Sequence, residues 1–172
     1  TAGVRVREIT AYTLYMLFRP LWQRLKNWVV YEKFCKTAQD NSYYFFKYCM
    51  EHLPEKERRH IYYIMDPREP DYKNVAGYGR QVVPFMSLKH MLLTLSMRIC
   101  ISSDSTSHLY VWRSKPSIVR RAIKKKKELF LQHGVTAMKR VDQLFGKKGS
   151  SPMTYFVTCS RPEHDIVVRE FG

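Results

Sequence analysis

Short, uninterrupted apolar segments alternate with helix-forming segments along most of this chain. The apolar segments predict strands at Trp28–Tyr31, Ile61–Met65, Val82–Phe85, Arg98–Ser102, Leu129–Gln132 and Tyr155–Cys159, and helical patterns fill 41–53, 87–97, 114–126 and 162–170. Strands that are apolar throughout and separated by helices are typical of a parallel sheet covered on both faces. Because parallel crossovers are right-handed, the alternation predicts an α/β fold over residues 27–172, with a Rossmann-like, doubly wound sheet.

Residues 1–26 precede this sheet and predict an amphipathic, basic helix over 4–26. Leu14, Leu17, Leu21 and Leu25 recur at three- and four-residue steps, and Pro20 is expected to kink or split the helix. The apolar stretch from 9 to 18 is shorter than the roughly 20 residues that a membrane span requires. The helix therefore either packs on the domain or lies at the interface of an anionic membrane.

The chain carries 30 Lys and Arg against 15 Asp and Glu, a formal charge of +15, which favours polyanions or anionic membranes as partners. Basic residues concentrate between 113 and 127 without a balancing acid. We expect one basic helix face there for binding an anionic membrane, with an ordinary solvated face as the alternative; its members are Arg120, Arg121, Lys124 and Lys125. The cluster lacks interleaved aromatic residues, so no nucleic acid is expected as a partner.

The four cysteines, at 35, 49, 100 and 159, have no zinc or redox spacing, and no metal site is predicted. Scattered cysteines in apolar surroundings are typical of reduced, buried core residues.

Ligands of doubly wound sheets bind beyond the carboxyl ends of the strands, and several polar residues follow predicted strands. Asp40 and Asn41 either cap the helix that follows or contact a ligand from its start. The polar loop of Ser102, Ser103 and Asp104 is equally compatible with a helix cap and with binding a phosphate or a substrate hydroxyl.

His133 and Gly134 follow the fifth predicted strand. A histidine there titrates near neutral pH in its unperturbed state and is the candidate general base, with a structural histidine as the alternative.

Six segments of the chain, in order, resemble the CDP-glycerol glycerophosphotransferase family, whose members build or prime teichoic acid and related polyol-phosphate polymers. They are WVVYE at 28–32, AQDNSYYFFKY at 38–48, IYYIMD at 61–66, PDY at 70–72, ISSD at 101–104 and FLQHGVT at 130–136. The resemblance implies a two-lobed, GT-B-like transferase, of which residues 27–172 resemble the N-terminal, acceptor-side lobe. It also implies a peripheral location on the cytoplasmic face of the bacterial membrane.

The reaction that the resemblance implies is attack of an acceptor hydroxyl on the β-phosphate of CDP-glycerol, with CMP as the leaving group. The acceptor would be polyprenyl-linked or a polyol phosphate. The histidine of the family's His-Gly motif falls on His133, the expected general base, and we expect Lys139 and Arg140 to stabilise phosphate charge.

No further cofactor is implied, and CDP-glycerol would bind mainly in a second lobe that has no counterpart in these residues. The chain alone is therefore expected to be an incomplete, inactive part of the enzyme. Two alternatives remain: a lobe of a GT-B sugar-nucleotide glycosyltransferase, and a non-catalytic basic module that binds membranes or nucleic acid.

Overall fold

A six-stranded, entirely parallel sheet forms the centre of the computed structural model, which describes residues 2–112, 115–134, 142–149 and 152–172. The strand order is β3-β2-β1-β4-β5-β6, which reverses direction between β1 and β4. The strands are β1 (Trp28–Tyr31), β2 (Ile61–Met65), β3 (Val82–Pro84), β4 (Ile99–Ser102), β5 (Lys127–Phe130) and β6 (Tyr155–Phe156). The predicted Rossmann-like α/β class is confirmed.

The α-helices of the described residues lie between and around these strands. They are α1 (Ala2–Leu17), α2 (Arg19–Leu25), α3 (Asn41–His52), α4 (Glu55–Arg58), α5 (Tyr72–Val75), α6 (Leu88–Ser96), α7 (Ile118–Ile123), α8 (Asp142–Phe145) and α9 (Arg161–Phe171). Three 3-10 turns, at Lys33–Cys35, Ala76–Gln81 and Thr106–Leu109, complete the connections.

Three predicted elements of the sheet region differ from the structure by more than one residue at an end. The sixth strand covers Tyr155–Phe156 rather than 155–159. The fifth strand occupies Lys127–Phe130 rather than 129–132, because its ladder to β4 begins with Lys127 opposite Ile99 and a left-handed φ of 45° at Gln132 lies beyond it. The helix predicted over 114–126 is confined to Ile118–Ile123. Ser117 caps its start by accepting a hydrogen bond from the Arg120 N–H, and residues 113–114 lie outside the described residues.

The sheet is buried on both faces by two apolar clusters. One cluster joins Val29 and Cys100 to Met91 of α6 and Val119 of α7, and Ala11 of α1 belongs to it. The other cluster places Val30 and Ile101 against α3 and its neighbours. Because successive residues of a strand point to opposite faces, Val29 and Val30 go to different clusters, as a doubly covered strand requires.

The N-terminal helix is split where Pro20 predicts, since α1 ends at Leu17 and α2 begins at Arg19. The surface of α1 that packs on the domain is formed by Val4, Glu8, Ala11 and Tyr15, whereas Leu17 and Leu21 of the leucine stripe are exposed. The Glu8 carboxylate is buried and accepts hydrogen bonds from the Ser117 hydroxyl and from the Val119 N–H at the start of α7. Small and polar residues therefore fix α1 to the domain, and its larger apolar residues face outward.

Of the four free cysteines, Cys35, Cys49 and Cys100 are buried as predicted, but Cys159 is exposed because it follows the short outer strand β6. Within the described ranges, no helix has both the length and the apolar character needed to cross a bilayer.

Candidate active site

Three polar segments of the chain meet at the carboxyl edge of the sheet, at the point where the strand order reverses. Asp40 follows β1, Asp104 follows β4 and His133 follows β5. His133 Nδ1 lies 2.5 Å from Asp40 Oδ2, and its Nε2 lies 3.5 Å from Asp104 Oδ1. Open α/β sheets bind ligands at this reversal point, so the sequence-predicted residues lie where the fold favours a site.

Asp40 is held by the first turn of α3 and by a buried glutamate. Its Oδ1 accepts a hydrogen bond from the Asn41 N–H at 2.7 Å, so Asp40 is the helix cap. Glu32, directly after β1, accepts from the N–H groups of Gln39, Asp40 and Tyr43 at 2.8–3.1 Å. Asp40 is both a helix cap and a residue of the site, because its second oxygen, Oδ2, contacts His133 and accepts from the Ser103 hydroxyl at 3.5 Å.

Ser103 and Asn41 tie the β4 and β5 ends to the start of α3. The Ser103 N–H donates to Ser42 Oγ at 2.8 Å, and the two hydroxyls lie 3.1 Å apart. Asn41 Nδ2 donates to the Gln132 carbonyl oxygen at 2.5 Å, one residue before His133. Ser102 Oγ accepts from the Asp104 N–H at 2.9 Å. Asn41, Ser102 and Ser103 are therefore engaged within the protein and position Asp104 and His133.

The short contact with Asp40 favours one tautomer of a neutral His133. An attractive contact between Nδ1 and the Asp40 carboxylate requires the proton on Nδ1, which leaves Nε2 as an acceptor in the neutral ring. The ring is half-exposed, and its Nε2 faces the side of the site that Asp104 flanks. This tautomer suits Nε2 to accept a proton from a hydroxyl placed beside Asp104.

Gly134 allows the sharp turn that follows His133. Its φ of +148° is rarely adopted by residues with a side chain, but no atom lies within 4 Å of the position a Cβ would occupy. The need for glycine is thus a matter of backbone conformation and not of close approach by another part of the protein.

Sequence reasoning did not assign a role to two further residues of the site, Glu32 and His108. His108 Nδ1 lies 3.4 Å from Asp104 Oδ1, outside hydrogen-bond geometry, and its ring packs 4.0 Å from that of Phe34. The spacing of Asp104 and His108 by four residues in a turn was the available signal.

The described part of this site is acidic. The ion-pair partners of Asp40 and Asp104 are histidines, and the predicted phosphate-stabilising residues Lys139 and Arg140 lie outside the described residues. No group of three or more His, Cys, Asp or Glu suited to a metal ion occurs within the described ranges. The geometry of the described residues is suited to orienting a histidine and a hydroxyl.

The four basic residues proposed to form one face divide between two surroundings. Arg121 and Lys125 line a groove with α1, together with Tyr12, Met16 and Arg19. Arg120 and Lys124 line a separate cavity with Glu128, and Arg120 Nη1 donates to the Thr106 carbonyl oxygen at 3.2 Å. Within the described residues, α7 covers Ile118–Ile123, so Lys124 and Lys125 follow the helix. That these four residues bind an anionic membrane stays a prediction.

The chain is similar to the minor teichoic acid biosynthesis protein GgaB of Bacillus subtilis (strain 168), with 29% identity over 136 residues. That similarity covers 77% of this chain and 14% of the relative's length, so the chain corresponds to a small part of that protein. No protein-family model and no solved structure matches the chain.

Proposed function

We propose that this chain is the acceptor-side part of a polyol-phosphate transferase of the CDP-glycerol glycerophosphotransferase kind. The observation that carries the proposal is the placement of His133 between two carboxylates at the reversal point of the sheet. The similarity to a minor teichoic acid biosynthesis protein supports a related transferase role.

In the proposed reaction, His133 Nε2 takes the proton of an acceptor hydroxyl as the hydroxyl oxygen attacks the β-phosphate of CDP-glycerol. The new bond joins that oxygen to phosphorus, and the bond from phosphorus to the bridging oxygen breaks, releasing CMP. The Asp40 carboxylate stabilises the imidazolium that forms, as a carboxylate does in other His–Asp pairs. Asp104, 3.5 Å from Nε2, orients the incoming hydroxyl.

The acidic character of the described site supports assignment to the acceptor side. Carboxylates orient a hydroxyl and a histidine, whereas a transferring diphosphate requires cations. We propose that Lys139 and Arg140 supply part of this positive charge, that a second lobe holds CDP-glycerol, and that this chain alone has negligible turnover.

The test is CMP release from CDP-glycerol by the full-length protein with a polyol-phosphate acceptor. His133→Ala should reduce the rate at least about 100-fold, the lower end of the usual contribution of a general base. His164→Ala is the matched control, because His164 also contacts an aspartate, Asp165, but on the exposed surface of α9. Equal rates for wild type and His133→Ala would remove His133 from the mechanism, and turnover of a sugar nucleotide in its place would favour the glycosyltransferase alternative.

We further propose that α1 and α2 lie on an anionic membrane. Val6, Ile9, Leu17, Phe18 and Leu21 are each more than half exposed. Arg19, Arg121 and Lys125 line the adjoining groove. Outward apolar side chains beside cations are the pattern of an interfacial helix.

Sedimentation with phosphatidylglycerol vesicles and with neutral phosphatidylcholine vesicles tests this surface. The chain should bind the anionic vesicles, more weakly at high salt, and the double variant Leu17→Ser/Leu21→Ser should bind less. Lys56→Ser, an exposed change on α4, is the control. Equal sedimentation of wild type and the double variant would contradict the membrane proposal. So would a gel-shift assay in which the chain binds DNA, in a salt-dependent manner, more tightly than it binds the vesicles.

A further inference from the structure

A cavity of about 150 Å³ lies between α7, the start of β5 and the turn at Thr106–Leu109. Arg120, Lys124, Lys126, Glu128 and Thr106 contribute to its lining, and the residues of the His133 site are not among the described residues that do. The cavity is several times larger than the roughly 30 Å³ that one water occupies in the liquid.

Two of the residues that line this space carry a buried polar atom for which the described residues supply no hydrogen-bond partner. Glu128 is 3% exposed, and its Oε1 accepts no hydrogen bond from the residues that the structure describes. Arg120 Nε donates none, although the same guanidinium donates through Nη1 to the Thr106 carbonyl oxygen. A buried polar group without a hydrogen-bond partner destabilises the folded state. An occupant that both accepts from Arg120 and contacts Glu128 would therefore stabilise the folded chain.

The charges around the cavity favour an anion as that occupant. Burial raises the pKa of Glu128 to about 8, against the smaller opposing effects of Tyr31 and of the Arg120 charge. At neutral pH its carboxyl is therefore mostly protonated and can donate. The other groups facing it are the Cys100 thiol from β4 and the lysines of the lining. The described lining then presents donors from Glu128, Arg120 and Lys124, and its one carboxyl, that of Glu128, is mostly neutral.

We propose that this cavity binds a phosphoryl group or a similar small oxyanion, whose oxygens accept from Arg120 Nε, the Lys124 ammonium and the Glu128 carboxyl. A tetrahedral oxyanion has enough acceptor oxygens to satisfy all three donors at once. Lys126 lines the same cavity, but its ammonium donates to the Leu95 carbonyl oxygen at 2.7 Å and is already engaged. The proposal is independent of the proposed transferase function, because it depends on none of the residues of the His133 site.

Calorimetric titration of the chain with inorganic phosphate, at constant ionic strength in chloride, tests the site. Lys124→Met should weaken binding about tenfold, as expected for the loss of one charge-assisted hydrogen bond. Lys125→Met is the matched control, since it removes the same charge from the next residue, which lines the α1 groove instead; we expect less than a twofold change. No saturable binding, or equal weakening by both variants, would overturn the proposal.

A parallel titration with glycerol 3-phosphate identifies the source of the phosphoryl group. Binding with similar affinity indicates that the cavity accepts a phosphomonoester, and binding of inorganic phosphate alone indicates that it accepts the free anion. Both results support an oxyanion site, and failure of both ligands to bind contradicts it.

Sulfate serves as the probe for the role of Glu128, since it stays doubly charged from pH 6 to pH 9. Wild-type affinity should fall as pH rises through about 8, where the carboxyl loses its proton and repels the anion. Glu128→Gln retains a neutral donor and should bind sulfate equally at pH 6 and pH 9. A pH dependence that is the same in wild type and Glu128→Gln would exclude Glu128 from the site, and thermal melting checks that the variant is folded.

Discussion

Two regions of this molecule contain buried glutamates whose surroundings differ in the supply of hydrogen-bond donors. Glu32 lies at the carboxyl edge of the sheet, where the start of α3 offers three N–H groups to its carboxylate. Glu128 lies within β5 and faces a cavity, and its Oε1 accepts no hydrogen bond. A helix start supplies free donors whereas a sheet face does not, because the N–H groups of a strand are engaged in the ladder. Although both side chains are buried, Glu32 therefore positions the start of α3, whereas Glu128 favours its neutral form.

The largest effect is expected from removing the Glu32 side chain, which tests whether its three hydrogen bonds stabilise the fold. Glu32→Ala leaves three N–H groups at the start of α3 without their acceptor, and we expect the free energy of unfolding to fall by about 4–6 kcal/mol, less where water replaces the carboxylate. Urea unfolding measures this change. Glu55→Ala, which removes an exposed carboxylate paired with Arg80 at 3.7 Å, should leave the free energy of unfolding almost unchanged.

A small decrease in the free energy of unfolding of Glu32→Ala would mean that Asp40 alone stabilises the start of α3. In that case Glu32 would not be a positioning residue of the site, and the hydrogen bonds that distinguish it from Glu128 would contribute little to stability.

The carboxyl edge also shows which parts of the site the sequence predicts. Asp40 was predicted from its place at the start of a helix. Asp104 and His133 were predicted because each follows an apolar strand, and the ends of parallel strands meet at one edge. Glu32 occupies an equivalent position, but nothing in the sequence indicates that its side chain turns back to the helix of its own crossover. The role of Glu32 is visible only from the hydrogen-bond distances between its carboxylate and the N–H groups at the start of α3.

The fold shows the same division between what local pattern specifies and what packing decides. The bounds of β1 and β2 match the prediction because both strands are apolar and central in the sheet. The N-terminal helix was predicted from its leucines, yet it packs through Ala11 and Glu8. The pairing of Glu8 with the start of α7 joins residues more than 100 positions apart, which no local periodicity contains.

A second, smaller effect concerns the pH dependence of stability at the other glutamate. The folded-state pKa of Glu128 is about 8, above its unfolded value, so the folded chain holds a proton that the unfolded chain loses above about pH 4.5. The stabilising effect of that proton is complete below pH 4.5 and is lost as pH rises through 8. In wild type the free energy of unfolding should therefore decline between pH 5 and pH 9, and Glu128→Gln should reduce that decline by as much as about 4 kcal/mol.

Chemical unfolding of wild type and Glu128→Gln at several pH values gives the difference that isolates this one group. Glu51→Gln, an exposed change on α3, should leave the decline intact. Parallel curves for wild type and Glu128→Gln would show that Glu128 is ionised in the folded chain.

The smallest expected effect concerns Gly134 and tests whether its backbone conformation, as well as the hydrogen bond to Asp40, positions His133. Gly134→Ala places a side chain at a φ of +148° where no atom lies within 4 Å of the new Cβ, so its cost is conformational and about 1–2 kcal/mol in unfolding free energy. Gly77→Ala is the matched control, because Gly77 is equally open and lies in a 3-10 turn without a positive φ; restriction of the unfolded chain should make it neutral or slightly stabilising. Equal unfolding free energies for the two variants would show that the turn after His133 adapts to a side chain, leaving the hydrogen bond to Asp40 as the restraint that orients the ring.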